Sequence, residues 1–254
     1  MDIDGKTIVQ TGASSGIGLE LLQKLAKFDC RIVAAARTID RVDVDHDNVI
    51  KYPCDVSVSD NLDQLFEFAL QELGSIDIFI ANAGFAYYEE IAGPDWEHIE
   101  KIYATNVFSS CYAAQKMKQL NADRPYRVVV TASAMSFWSM PGYALYASTK
   151  AAMHGFATAY RFELGKDQKL QMVYPIATRT DFFNRAGPDT PVPWPSQSAE
   201  RVADAIMDGI ARDKNAIFPS KLYSALRIAN GHLPFIYPLI ARFEARKLRR
   251  WARR

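Results

Sequence analysis

The sequence predicts a single doubly wound α/β domain, with a parallel sheet flanked by helices. Three observations predict it. Short runs of β-branched and apolar residues alternate with longer stretches of helical periodicity. The short runs are apolar almost without interruption, as strands covered on both faces must be. A glycine-rich turn, "TGASSGIG" (11–18), joins the first run directly to the first helical stretch.

The elements follow in order. "KTIVQT" (6–11) is the first strand, and "LELLQKLAKF" after the turn carries leucines at helical spacing. "RIVAAAR" (31–37) is a second buried strand, and "NVIKYPC" (48–54) a weaker third. A helix follows over 60–73, with Ser59 or Asp60 as its expected cap. "IDIFIANAG" (76–84) and "YRVVVTAS" (126–133) are strands separated by a long helix over about 95–120. A helix over about 145–165, the strand "KLQMVYP" (169–175), a helix over 198–212 and the short strand "AIFP" (216–219) complete the alternation. Residues 1–220 thus make up the α/β unit, and 221–254 a basic, helical C-terminal extension.

Composition narrows the class. With 254 residues, 49% apolar and 23% charged, the chain can bury a sizeable core and is not a disordered polymer. A net charge of +1 gives no global attraction for nucleic acid. The charge is uneven: from Lys221 onward nine Lys/Arg face the single acid Glu244. Cys30, Cys54 and Cys111 are odd in number and unpaired in spacing, which fits buried thiols in a reducing compartment. No secretory start and no run near the roughly 18 apolar residues of a span is present, so a cytoplasmic location is expected. His46, His98, His154 and His232 show no metal spacing, and His154 reads as a surface or subunit contact.

The glycine-rich turn points to phosphate. Gly12, Gly16 and Gly18 allow a tight turn and close backbone approach, and the following helix aims free N–H groups at an anion. Ser14, Ser15 and Ile17 complete that phosphate-facing stretch. The second strand ends "AAAR", with no carboxylate for a ribose 2′-hydroxyl and with Arg37 available to a 2′-phosphate. NADP(H) is therefore the expected cofactor, although Asp40 and Asp43 lie near enough along the chain to supply an acid.

Residues 142–152, "GYALYASTKAA", carry the reactive candidates. On a helix Tyr146 and Lys150 are i and i+4 and share a face, whereas Tyr143 lies two turns from the lysine. Free tyrosine has a pKa near 10, and a neighbouring ammonium together with an oxidised nicotinamide would lower it. Tyr146 is then the expected proton donor and Tyr143 a pocket residue. Ser133, at the end of a strand, is placed to donate to a substrate oxygen.

Taken together, "TGASSGIG", Asp55 in "CDVS", "NAG" (82–84), Asn106, Ser133, Tyr146 and Lys150 occur in an order and spacing that resembles the short-chain dehydrogenase/reductase family, over roughly residues 5–220. The resemblance implies a Rossmann-type fold, with a dinucleotide site and the catalytic groups in residues 1–220. It implies that Asn106 holds a water linking Lys150 to solvent, and that Lys150 binds the nicotinamide ribose. It gives Asp55 and Val56 the adenine, and Asn82, Ala83 and Gly84 the adenosine ribose edge, although Asn82 also reads as a strand end that stabilises the sheet. Two departures stand out. Ala81 replaces a frequent first asparagine, and "PIATRT" (175–180) has Ile176 where the family commonly has glycine. A β-branched residue there excludes a positive φ, and Pro175, Thr178 and Thr180 remain the cofactor contacts of that loop.

Phe182, Phe183 and Trp194, with Phe137, Trp138 and Met140 near Ser133, read as a pocket for a hydrophobic ketone or aldehyde, or as core or subunit interface. A homodimer or homotetramer is implied by the resemblance, through the helices 95–120 and 145–165. The tail 235–254 is apolar and then basic, with Pro234 and Pro238 interrupting it. It reads either as a peripheral membrane contact or as a helix covering the pocket; nucleic acid is not expected as a partner. The expected activity is that of an NADPH-dependent carbonyl reductase, reversible as an alcohol dehydrogenase. The alternative is a non-catalytic NADP-binding or membrane-tethered scaffold with the same fold.

Overall fold

The computed structural model describes residues 2–187 and 189–253. Its main sheet contains β1 (Thr7–Thr11), β2 (Arg31–Ala36), β3 (Val49–Pro53), β4 (Ile78–Ala81), β5 (Tyr126–Thr131), β6 (Gln168–Val173) and β9 (Ala216–Ile217). The two-residue strands β7 (Thr178–Arg179) and β8 (Gln197–Ser198) form a separate parallel ladder. The main sheet runs β3-β2-β1-β4-β5-β6-β9, and all its pairs are parallel. The order reverses between β1 and β4, so a crevice opens at the C-terminal ends of these strands.

Helices cover both faces, as the apolar strands require. Val9, Val128 and Val130 pack under α2 (Ser59–Leu73), α4 (Ser109–Leu120) and α5 (Ala144–Tyr160). Ile8, Ile32 and Val129 pack under α1 (Gly16–Leu25) and α7 (Ala199–Ala211). The strand residues alternate between the two cores because side chains of a strand point alternately to its two faces. Lys24 and Asp204, 2.7 Å apart, tie α1 to α7 at the surface.

Local details depart from the sequence reading at identifiable places. The helix expected over 60–73 starts at Ser59, behind an extended Val58 with no side-chain cap. Ser59 Oγ instead donates to Asp60 Oδ1 at 3.3 Å, so neither expected residue caps the helix. The long helix over 95–120 is three segments: α3 (Trp96–Tyr103), a π turn at Ala104–Phe108, and α4. The helix expected to reach 165 ends at Tyr160 and passes into a 3₁₀ turn, Arg161–Glu163. After α6 (Phe182–Ala186), the chain past β9 forms α8 (Lys221–His232) and α9 (Ile236–Trp251).

The C-terminal extension returns to the body of the molecule. Trp251 meets Tyr88 edge-on at 5.0 Å between ring centroids. Tyr237 donates to the Ser139 carbonyl at 2.8 Å, and Tyr223 to the Ala134 carbonyl at 2.9 Å. No helix among the described residues is long and apolar enough to cross a membrane.

Candidate active site

A cleft of about 1120 Å³ lies over the crevice at the C-terminal strand ends. One end is built by the turn between β1 and α1. Gly12 has φ +67°, and a Cβ there would come 2.8 Å from the Ala83 backbone, so only glycine lets the two segments approach. Gln10, fully buried, donates to the Gly18 carbonyl at 2.6 Å and fastens the helix start to β1. The N-terminus of α1 then presents unpaired backbone N–H groups beside Ser14, Ser15, Gly16 and Ile17, all of which line the cleft. Gly18 does not line it. A Cβ at Gly18 would sit 2.0 Å from the Gly12 carbonyl oxygen, so this glycine is a packing contact under the turn.

Arg37 lies exposed at the end of β2 and lines the cleft, as do Asp55, Val56, Asn82, Ala83 and Gly84. Asp40 and Asp43 do not, so neither supplies the acid that a ribose 2′-hydroxyl would need at this end. Arg41, at the end of the 3₁₀ turn Ile39–Arg41 and passed over in the sequence reading, lines the cleft with Arg37. Among the described residues no carboxylate lies within salt-bridge distance of either arginine. Arg185 of α6 is a further cation that sequence separation concealed; its Nη1 reaches Ser15 Oγ at 3.5 Å. Asn82 donates to the Gly12 carbonyl at 3.2 Å and accepts from Thr131 Oγ1 at 3.0 Å. It therefore stabilises the strand ends as well as lining the cleft. Asp55 Oδ1 accepts from Ser57 N and Oγ at 3.0 and 2.7 Å, which fixes the carboxylate at the cleft wall.

The middle of the cleft holds Ser133, Tyr146 and Lys150, buried to 8, 8 and 5% exposure. Ser133 opens the 3₁₀ turn Ala134–Ser136, and Ser136 Oγ donates to the Lys150 carbonyl at 2.8 Å, locking that turn onto α5. Lys150 Nζ donates to the Thr131 carbonyl at 2.9 Å and lies 5.5 Å from the Tyr146 ring centroid. The i, i+4 placement is as the spacing predicts. Burial sets the electrostatics of the pair. Burial pushes the Tyr146 phenol up to about 12, with the Ser133 hydroxyl opposing, and pushes the Lys150 ammonium down to about 8. Loss of water dominates both groups in a site this enclosed, and the expected lowering of the phenol calls on the charge of a bound oxidised nicotinamide as well as on the lysine.

Asn106, 2% exposed and within the π turn, stands behind this group and does not line the cleft. Its amide nitrogen donates to the Phe85 carbonyl at 2.9 Å and to Thr149 Oγ1 at 3.1 Å, and its oxygen accepts from Phe85 N at 3.1 Å. The side chain thus clamps the segment after β4 to α5. A Cβ at Gly84 would lie 3.2 Å from Asn106 Oδ1 and 3.5 Å from Lys150 Nζ, so both groups press against that glycine.

The loop after β6 brings Pro175, Ile176, Thr178 and Thr180 to the cleft. Ile176 does not adopt positive φ, as its β-branch demands. The two threonines are partly committed: Thr178 Oγ1 donates to the Ile176 carbonyl at 2.9 Å, and Thr180 Oγ1 accepts from Phe182 N at 3.2 Å. The far end of the cleft is apolar. Trp138, Met140, Phe182, Phe183 and Trp194 line it, as do Leu239, Ile240 and Phe243 of α9. Phe137 does not; it packs into the core on Tyr174 at 5.0 Å. Tyr143 lines the same end, with its hydroxyl buried and unpartnered. His154, expected at the surface, bonds Tyr174 Oη at 2.9 Å and takes no part in the cleft.

Comparison with known proteins agrees with this geometry. The short chain dehydrogenase family model matches residues 6–191. Farnesol dehydrogenase of Aedes aegypti is 28% identical over 195 residues, 70% of this chain and 80% of that protein. A short-chain dehydrogenase from Sphingobium yanoikuyae, solved with NADPH, superposes with a TM-score of 0.77 at 26% identity, covering 91% and 95% of the two chains. A short chain dehydrogenase/reductase from Burkholderia phymatum, solved with NAD, gives 0.80 at 21% identity, covering 92% and 96%. A cradle that only glycine can form, a helix N-terminus and flanking cations suit a nicotinamide dinucleotide, and the chain belongs to the short-chain dehydrogenases, oxidoreductases that use one.

Proposed function

We propose that the protein is an NADPH-dependent reductase of hydrophobic ketones and aldehydes, able to run in reverse as an alcohol dehydrogenase. The observation that carries this reading is the continuity of one cleft. It joins the Gly-rich turn with Arg37 and Arg41, the Ser133/Tyr146/Lys150 group, and an end walled by Trp138, Met140, Phe182 and Phe183. Arg37 and Arg41 would meet a 2′-phosphate, and the missing acid at Ala36 removes the usual partner of a free 2′-hydroxyl. When bound, the nicotinamide supplies hydride to the carbonyl carbon.

The chain's own groups manage the oxygen. Ser133 Oγ donates a hydrogen bond that orients it, and Tyr146 Oη delivers the proton as charge develops. A phenol held near 12 is fully protonated at neutral pH, which suits an acid in the reductive direction. Lys150, with an amine near 8, can return a proton to Tyr146 Oη at ordinary pH. Asn106 acts as a positioning residue, because it ties α5 to the backbone at Phe85. Exposed Ile99, Phe108 and Leu120, on α3, the π turn and α4, support self-association of the same helices.

The test is a panel of apolar ketones and aldehydes against the purified chain, with NADPH and NADH oxidation followed by absorbance. Turnover of apolar carbonyls with a higher kcat/KM for NADPH is expected. Preference for NADH, or consumption of no carbonyl compound, overturns the reading.

A further inference from the structure

We propose that the corner formed by α8 and α9 docks on an anionic lipid bilayer, with the apolar mouth of the cleft turned toward the lipid. Phe235, Leu239, Phe243, Arg246, Arg250 and Arg253 follow one another at spacings of four, four, three, four and three residues. Within α9 (Ile236–Trp251) that spacing places Leu239, Phe243, Arg246 and Arg250 on one face, apolar at its start and cationic at its end, with Phe235 at the N-cap and Arg253 just past the C-cap. The opposite face of α9 is taken by the body of the protein, through Trp251 on Tyr88 and through Ile240 and Glu244 at the cleft. The outward face is uncovered: Phe235, Leu239 and Phe243 are 56, 56 and 57% exposed, and Ile228 on α8 is 61% exposed.

The cationic half has an unmet requirement. Arg246, Arg249, Arg250 and Arg253 surround a hollow of about 190 Å³. Among the described residues no carboxylate is ion-paired with any of them, whereas Lys247, whose ammonium lies 4.7 Å from the Phe243 ring centroid, is paired with Glu244 at 2.6 Å. Four arginines lining one surface hollow favour an anion there, and bidentate phosphate recognition suits guanidinium best. A nucleic acid would satisfy the arginines and leave the aromatic row in water. A bilayer satisfies both halves at once: phenyl and leucyl groups enter the headgroup–acyl boundary while arginines meet lipid phosphates at the same depth.

The docking surface includes the rim of the cleft. Leu222, Leu239 and Phe243 line the cleft and are each more than half exposed, so they form its lip. A hydrophobic carbonyl compound dissolved in the bilayer would reach the mouth without crossing water; this consequence rests on the reductase reading, and the docking itself does not.

The 254-residue chain is sedimented with vesicles of phosphatidylcholine alone, and with vesicles containing about a third phosphatidylserine. Binding to the anionic vesicles only, weakening as salt rises, is expected. Arg246→Gln with Arg250→Gln should lower the affinity about thirtyfold, since each basic residue at an anionic surface contributes roughly fivefold. Phe235→Ser, outside the cleft, should lower it about tenfold through lost apolar burial. A cofactor-induced rise in Tm, unchanged in both variants, shows that the fold is intact. No binding to anionic vesicles at low salt, wild-type binding by both variants, or tighter binding to a single-stranded oligonucleotide overturns the proposal. Vesicle binding by a chain that reduces no carbonyl compound would sustain the docking and defeat only the reductase reading.

Discussion

Replacing Tyr146 with phenylalanine tests the chemistry without disturbing the site. The ring is held by Phe182 at 5.6 Å, Tyr143 at 6.3 Å and the Lys150 ammonium at 5.5 Å, and phenylalanine keeps all three contacts. What disappears is one buried hydroxyl beside Ser133, whose net contribution to stability is about 1 kcal/mol. Tm should therefore move by only a few degrees, and cofactor affinity should stay within about twofold. Loss of a positioned general acid costs 10²–10⁴ in rate, or about 3–5 kcal/mol of transition-state stabilisation. kcat/KM for carbonyl reduction should fall by that factor in steady-state assays with saturating cofactor. Tyr143→Phe is the control: its hydroxyl is buried and unpartnered, so its removal should be close to neutral for stability and leave kcat/KM within about tenfold. If Tyr146→Phe keeps more than a tenth of the activity, or Tyr143→Phe loses more than Tyr146→Phe, the proton comes from elsewhere and the assignment fails.

Arg37→Asp combined with Arg41→Asp should lower the NADPH/NADH ratio of kcat/KM by at least about 100-fold, because each charge-assisted bond to phosphate contributes roughly 1.5–3 kcal/mol. An unchanged ratio would place the 2′-phosphate elsewhere. Lys150→Met should abolish the decline in reduction rate expected in the wild type above pH 8, where the amine loses its proton. The same change should raise stability at pH 7 by about 3 kcal/mol, since the amine falls from 10.5 in the open chain to about 8 when buried. The sign follows from proton uptake: between those values the unfolded chain binds more protons, so the wild type gains stability as pH rises and the advantage of methionine shrinks. Denaturant melts at pH 7 and pH 10 would expose an error as a constant difference. Gly18→Ala should unseat the turn and the cofactor with it, its Cβ meeting Gly12 O at 2.0 Å, whereas Gly155→Ala has nothing within 4 Å and should stabilise α5 by about 0.5–1 kcal/mol. Equal Tm values for the two variants would refute the packing role of Gly18.

What the sequence disclosed and what it withheld divide along a physical line. Periodicity and spacing are local, and they made legible the seven strands of the main sheet, the Gly-rich turn, and the common face of Tyr146 and Lys150. Burial is not local. The i, i+4 spacing put the ammonium beside the phenol, but the pKa of each follows from how much water the surrounding elements exclude, and only packing determines that. Phe137 and Trp138 make the same point. Adjacent in the chain just past the 3₁₀ turn Ala134–Ser136, they part, one packing on the core and the other lining the cleft. The π turn around Asn106 left no mark on a helical pattern that one residue's insertion barely perturbs.

The tail is the instructive case. Its apolar-then-basic composition allowed two readings, a cover for the cleft or a membrane contact, because composition does not say which face of a helix is already occupied. Once Trp251 is seen against Tyr88, the inner face is used and α9 walls the apolar end of the cleft. The residues left over are not a random remainder. They are the Phe235, Leu239 and Phe243 row and an arginine cluster that no carboxylate pairs among the described residues, so the first reading does not replace the second but supplies the orientation it needs.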